Sequence, residues 1–547
     1  MTSLLAYAYE GHGRIASETR TINGVAYVLA YSYDSSGRLS GMTYPSGPTI
    51  VYGFDALGRI SQVSTTPQGG TQQIVASGIA YQPFGGVKSY TLGNGQTTTR
   101  GYDSDGRIAS YSLGTQVFAL NYDDASRIRM ISETGNAANM NTYDYDVLDR
   151  LTSAVLPNVP FAYGYDAVGN RASKTTGSST DTYAYGTTSN RLASITAQGG
   201  TVRNLGFDPN GSTIDDGVNQ YMYDTRGRMT QSTGALGTTT YQVNALGQRV
   251  RKTNTSDDRV FVYDTKGKLI EEANPTGQTL TEYVFLGDIP VSVLNGQGVY
   301  YVHSDHLNTP RLIADSTGTT VWRWDQGEPF GNDVPNNNPS GLGAFDFPLR
   351  LPGQYFDKET ALHYNAARDY DPSIGRYVES DPIALSAGVN TYAYGSASPL
   401  VYIDPDGLKV RLICRPVAGP GIGLIYDHCF VYVTCPEQGI DTILSLFGTF
   451  PYIFSKGQKR SGTPGDPKFP DNPKSPKNTY DKEIEPCGNK CCAYEKDVIR
   501  RFNGAPPELP YEGPLFNSNN FSRYLITSPA FCAGVPSDAP TSAPGLR

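Results

Sequence analysis

The first 408 residues contain no cysteine; all seven (Cys414, Cys429, Cys435, Cys487, Cys491, Cys492 and Cys532) come later. That absence excludes a disulfide framework and any thiolate metal site from the larger part of the chain. Tryptophan (2) and methionine (6) are scarce and the hydrophobic fraction is only 38%, too little for a compact oily core. No apolar run is long enough for a transmembrane helix. The opening MTSLLAYAYEGHGRIASE lacks the charged and apolar regions of a secretory signal, so export is expected to use a specialised route.

What is abundant is tyrosine (39) and glycine (60). Tyr, with Thr and Val, favours pleated surfaces, and a large curved sheet can be built from them. Residues 1–408 carry 28 Lys/Arg against 39 Asp/Glu, whereas 409–547 carry 16 against 13. This acidic body with a mildly basic tail gives no clear nucleic-acid footprint and no membrane signature.

A repeat runs through the first 300 residues: YGFDALGRISQV, RGYDSDGRIASY, YDYDVLDRLTSA, YGYDAVGNRASK, YMYDTRGRMTQS and FVYDTKGKLIEE are all copies. In each, an alternating aromatic strand runs into Asp-x-x-Gly-Arg or a close variant of it (DVLDR, DAVGNR, DTKGK), which is tight-turn chemistry, and a second strand returns. One hairpin cannot bury its own face, so the units must stack. They resemble the YD repeats of the Rhs and insecticidal-toxin families. The resemblance implies a mainly β fold: a cocoon-like hairpin shell over 1–300, here with few units for closure, then a core plug and a small α+β C-terminal domain.

From residue 301 the repeat gives way to YVHSDHLNTPRLIADSTGTTVWRWDQGEPFG, LRLPGQYFDKETALHYNAARDYDPSIGRYVESDPIAL and NTYAYGSASPLVYIDPDGL. This stretch, 301–408, is similar to the Rhs-associated core domain. His303, Asp305 and His306 tempt a metal assignment, but no fourth ligand stands at recognisable spacing, and hydrogen bonding is the expected use. The reading includes no metal and no cofactor. Two Asp-Pro pairs bracket the aromatic segment. Carboxylates brought close cannot both ionise, so one stays an acid while the other acts as base on a water. The resemblance implies a self-cleaving constellation of Arg368, Asp381 and Asp404, cutting between Leu408 and Lys409. Arg376 competes with Arg368 for the arginine's place. By themselves, Asp-Pro and Asp-Gly are also ordinary turn formers. Ala384 stands where the family commonly has glycine, and a small residue is expected to cost little there.

After Leu408 the composition changes: 18 of the 37 prolines fall in 409–547, expected to be the exchangeable toxin. VRLICRP and HCFVYVTCP read as strands. DTILSLFGTF fits a short helix or a strand, and AYEKDVIRRF reads as a helix. Prolines at intervals of three within 462–478 suit an extended polyproline arm. His428 on a strand, with Asn517 and Ser518 at a helix start, faintly resembles permuted papain-like hydrolases. Cys429 and Cys532 are rival nucleophiles. The cysteines could equally pair as disulfides after delivery, with one thiol left over.

The family reading implies three partners: the chain's own cleaved toxin held in the shell, a cognate immunity protein, and a secretion or delivery apparatus that carries it to a target cell. The competing reading is a non-enzymatic cell-surface scaffold or adhesion protein, which predicts no internal cut.

Overall fold

The computed structural model describes residues 3–83, 86–384 and 389–408, together with six strands beyond them: Arg411–Ala418, Ile425–Cys435, Ile440–Phe447, Lys456–Gly462, Tyr480–Glu483 and Glu508–Pro510. Among the described residues there is no α-helix, and so none long and apolar enough to cross a membrane.

Each repeat folds as its sequence dictates. At Asp34, Oδ1 accepts the backbone N–H groups of Ser36 (2.9 Å) and Arg38 (3.0 Å). Gly37 takes φ 82°, a left-handed value that glycine adopts without a Cβ penalty. Arg38 turns back to donate through Nε to Asp34 Oδ2 at 2.7 Å. Its guanidinium then lies 4.2 Å from the centroid of Phe54, the aromatic of the next unit. The same stitch recurs downstream. Arg107 covers Tyr122 at 4.6 Å, and the Tyr122 hydroxyl donates to the Ile108 carbonyl at 2.7 Å. Tyr145 donates likewise to Ile128 (3.0 Å) and Tyr165 to Leu151 (2.9 Å). The aromatic therefore does more than fill space: its hydroxyl and its face each fasten one hairpin to the one before.

Within each of the two large sheets, every strand pairs antiparallel with its sequence neighbours. Nineteen strands from Ser3–Tyr9 to Val202–Asn204 make one meander, and thirteen from Gly206–Phe207 to Thr320–Arg323 make a second. Both are open sheets rather than a closed barrel. The second continues past residue 300 through the strand Gly298–Ser304. Strand periodicity sends alternate side chains inward, as at Tyr27 and Leu29 of Val25–Tyr33. The two sheets share a buried core in which Ile22, Tyr27 and Ile50 of the first meet Val260, Val262 and Val284 of the second. Tyr44 ties them across the seam, its hydroxyl donating to the Tyr283 carbonyl at 2.8 Å.

Four short strands (Tyr355–Phe356, His363–Asn365, Arg368–Asp371 and Arg376–Tyr377) form a separate small sheet. Its Tyr370 and Tyr377 pack with Tyr394, Trp322, Trp324 and Phe347. Buried ion pairs fix it to the second large sheet: Arg249 binds Asp357, and Lys252 Nζ reaches Asp357 Oδ1 at 3.1 Å and Glu359 Oε2 at 3.3 Å. Removing one partner would strand a buried charge, at a cost of about 3–5 kcal/mol.

The six remaining strands form an antiparallel sheet. RLICRP and HCFVYVTC lie on strands as expected, and the undecided DTILSLF belongs to the strand Ile440–Phe447. The expected helix at AYEKDVIRRF and the rest of the polyproline arm after Gly462 lie outside the described residues.

Candidate functional site

The strand Arg368–Asp371 and the strand Arg376–Tyr377 form a tight hairpin, pairing Tyr370 with Tyr377. Arg368 sits at the open end of that hairpin. The segment after it returns Asp381 alongside, its N–H donating to the Thr391 carbonyl at 2.8 Å. Asp404 arrives on the DPDG turn. A Cβ on Gly353 would come within 2.2 Å of the Pro405 carbonyl oxygen, so that glycine lets the turn seat.

These pieces converge on one guanidinium nitrogen. Arg368 Nη2 is 2.9 Å from Asp381 Oδ2 and 3.0 Å from Asp404 Oδ2. All three side chains are at most 4% exposed. Arg368 Nη1 donates to the Thr391 carbonyl at 3.2 Å, and its plane lies 3.6 Å from the centroid of the Tyr377 ring. Arg376 goes elsewhere: it donates to the Asn190 carbonyl at 2.6 Å and stacks on Tyr392.

Two residues of the cluster escaped the sequence reading. The Tyr377 hydroxyl donates to Asp404 Oδ2 at 2.9 Å. Asn365 Nδ2 donates to the Tyr377 oxygen (2.8 Å) and to the Asp404 carbonyl (2.7 Å). Burial first, and then the Asp404 charge, hold the Tyr377 phenol well above its ordinary pKa, so it stays a donor. The signal available in sequence was only the GRY tripeptide ahead of SDP. Asp404 thus presents one oxygen bound to two donors, and a second, Oδ1, that is buried and has no hydrogen-bond partner among the described residues. That second oxygen keeps its lone pairs available. On the other side, Asp381 Oδ1 accepts the Ile383 N–H at 2.9 Å. Ala384, which closes this turn, has φ 52°. Its backbone is one that favours glycine, so the substitution is costlier than small size suggests.

The histidines of the SDH segment serve packing. His303 contacts Thr98 Oγ1 (3.3 Å) and Gln96 Oε1 (3.1 Å), and burial pulls its pKa down to about 4. His306 Nε2 donates to the Leu400 carbonyl at 2.9 Å, and Asp305 binds Arg311 at 2.9 Å. Of the toxin candidates, His428 lies on the strand Ile425–Cys435, in register with Arg415. Asn517 and Ser518 lie outside the described residues, as does Lys409.

The Teneurin YD-shell family model matches residues 114–396, and the RHS Repeat model matches 9–49 and 33–71. Double-stranded DNA deaminase toxin A of Burkholderia cenocepacia is 30% identical over 241 residues, 37% of this chain and 16% of that protein. Toxin protein Tse5 of Pseudomonas aeruginosa is 37% identical over 125 residues, 22% of this chain and 9% of its own. The tRNA3(Ser)-specific nuclease WapA of Bacillus spizizenii is 29% identical over 264 residues, 46% of this chain and 11% of its own. The chain therefore spans only a small part of each of these relatives. Among solved structures, TcdB2-TccC3 superposes with a TM-score of 0.57 at 19% identity, over 73% of this chain and 24% of that one, a likeness of fold. With the shell model spanning more than half of its length and the Rhs model matching its first repeats, the chain belongs to the Rhs/YD-repeat polymorphic toxin family.

Proposed function

We propose that this chain is the shell and core of a polymorphic toxin that cuts itself between Leu408 and Lys409, releasing residues 409–547 as the effector. The observation that carries this reading is the single buried Arg368 nitrogen within 3.0 Å of both Asp381 and Asp404, the latter four residues before Leu408. Asp404 acts as the base: Arg368 and Tyr377 hold its Oδ2, and Oδ1 takes a proton from water as that water attacks the Leu408 carbonyl. Asp381 is the acid, giving its proton to the departing Lys409 nitrogen. Arg368 steadies the negative charge that develops between them.

Domain limits of 1–300 for the shell, 301–408 for the core and 409–547 for the effector follow from this reading. So do an effector retained in the shell, an immunity protein in the producing cell and a delivery apparatus. Relatives named as a deaminase and nucleases favour an enzymatic effector over a passive scaffold. Within it, His428 and Ser518, with Asn517 beside them, would form a hydrolase site.

The test is intact mass and denaturing electrophoresis of the full chain beside Asp404→Asn. A fragment beginning at Lys409 in the wild type, absent from the variant, is expected. An uncut wild type, or a variant cut as well as the wild type, overturns the reading. Toxicity of the released fragment that survives both His428→Ala and Ser518→Ala excludes the hydrolase site.

A further inference from the structure

Arg171 opens the strand Arg171–Thr176 of the first large sheet and is only 5% exposed. None of its three side-chain nitrogens has a hydrogen-bond partner among the described residues. Its guanidinium instead stacks on two rings, 4.1 Å from the centroid of Phe330 and 4.8 Å from that of Tyr163. The backbone opposite makes room for it: a Cβ on Gly375, which has φ 65°, would come within 2.2 Å of Arg171 Nη2.

A buried charge needs a counter-charge and acceptors. Glu328 is a carboxylate near Arg171, but its oxygens are taken. Oε1 accepts the Tyr163 hydroxyl at 2.7 Å and lies 3.6 Å from Lys174 Nζ, and Oε2 accepts the Phe330 N–H at 2.9 Å. Arg171 lines a cleft of about 290 Å³ together with Asn170, Phe330, Gly375, Arg376 and Asn390. Arg376 is also buried; its Nη2 donates to the Asn190 carbonyl, while its Nη1 has no hydrogen-bond partner among the described residues. No Asp or Glu is among the residues lining the cleft. Two cations with free donors therefore border one space that offers them no acceptor charge.

We propose that this cleft binds one small inorganic oxyanion of the phosphate or sulfate class, held by the Arg171 guanidinium and by Arg376 Nη1. A tetrahedral oxyanion can set two oxygens on the fork of one guanidinium, the arrangement in which arginine binds anions most strongly. The anion neutralises a charge that the protein itself leaves uncompensated. It also joins two elements far apart in sequence, the strand Arg171–Thr176 and the hairpin turn that carries Gly375 and Arg376. Two hydrogen bonds support the same seam: Lys174 Nζ donates to the Ser373 carbonyl at 3.2 Å, and Asn390 Nδ2 to Asn170 Oδ1 at 3.1 Å. The bound anion is thus a pin between the first large sheet and the small one.

The test is equilibrium dialysis of the full chain against radiolabelled phosphate, at an ionic strength held constant with sodium fluoride, with thermal melting of each protein to report its fold. One phosphate per chain is expected, saturably bound. Arg171→Lys keeps the charge but loses the fork, and should bind at least about tenfold more weakly. Arg376→Gln removes the second cation and should also weaken binding about tenfold. A wild type that takes up no saturable phosphate overturns the proposal, and so does a folded variant of either kind that binds as the wild type does. Chloride that displaces the label at the same concentration as unlabelled phosphate overturns the oxyanion assignment.

Discussion

The hydroxyl of Tyr377 lies 2.9 Å from Asp404 Oδ2, the same oxygen that Arg368 Nη2 contacts at 3.0 Å. One carboxylate oxygen is thus held by a neutral donor and a charged one, while the ring carrying the neutral donor lies under the charged one.

Tyr377→Phe keeps that ring and removes only the donor. A hydrogen bond to a charged group is worth about 1.5–3 kcal/mol, so the cut should slow by roughly 10- to 100-fold. A time course of fragment release measures it. Wild-type speed would mean that the phenol plays no part.

The two arginines of the hairpin should separate cleanly. Arg368→Lys loses the planar fork and the stacking on Tyr377 and should reduce cutting at least about 100-fold. Arg376→Lys, whose contacts are the Asn190 carbonyl and Tyr392, should cut within a few-fold of wild type. Equal losses in the two variants would place the effect in folding, and thermal melting of both would show it.

Glu271 and Glu282 face each other in register across neighbouring strands and are both buried, with Ser46 of the other sheet donating to each. Burial, and then Glu282, push Glu271 up to about 7. A raised carboxyl favours the fold fully below its unfolded pKa near 4, and that contribution is lost as pH rises towards 7. Glu271→Gln should therefore melt higher than wild type at pH 8 and lose part of the wild-type decline between pH 4.5 and 7. The contribution is at most about 3 kcal/mol. Unchanged pH dependence of melting would contradict it.

Ala361 is exposed with φ 61°. A left-handed backbone disfavours any residue with a Cβ by about 1 kcal/mol. Ala361→Gly should stabilise the protein by roughly 0.5–1 kcal/mol in denaturant titration, despite glycine's greater freedom when unfolded.

Much of the shell was legible because its signals are local. Asp34, Gly37 and Arg38 satisfy one another within five residues, and the aromatic strand before them alternates with the pleat. The stitch from Tyr122 to Ile108 was not legible, since a hydroxyl's partner depends on how one hairpin sits on the last. At the site, Asp381 and Asp404 stood out only through the family resemblance. Their arginine could not be chosen from sequence, because Arg368 and Arg376 occupy opposite ends of one hairpin and only its packing against Asn190 and Thr391 tells them apart. Asn365 and Tyr377 carry no motif; they matter through the contacts they make with each other and with Asp404.

Strictly consecutive pairing also imposes an order of assembly. Strand pairing within each large sheet is local, so it can follow the order of synthesis, while the core that the two sheets share closes only once the second is present. Arg368, Asp381 and Asp404 come after both sheets are complete, and the small sheet that holds them docks on strands already in place through Arg249 and Lys252. The Arg368 cluster is therefore completed only after both large sheets have been made, and its place in the order of folding is set by its place in the chain.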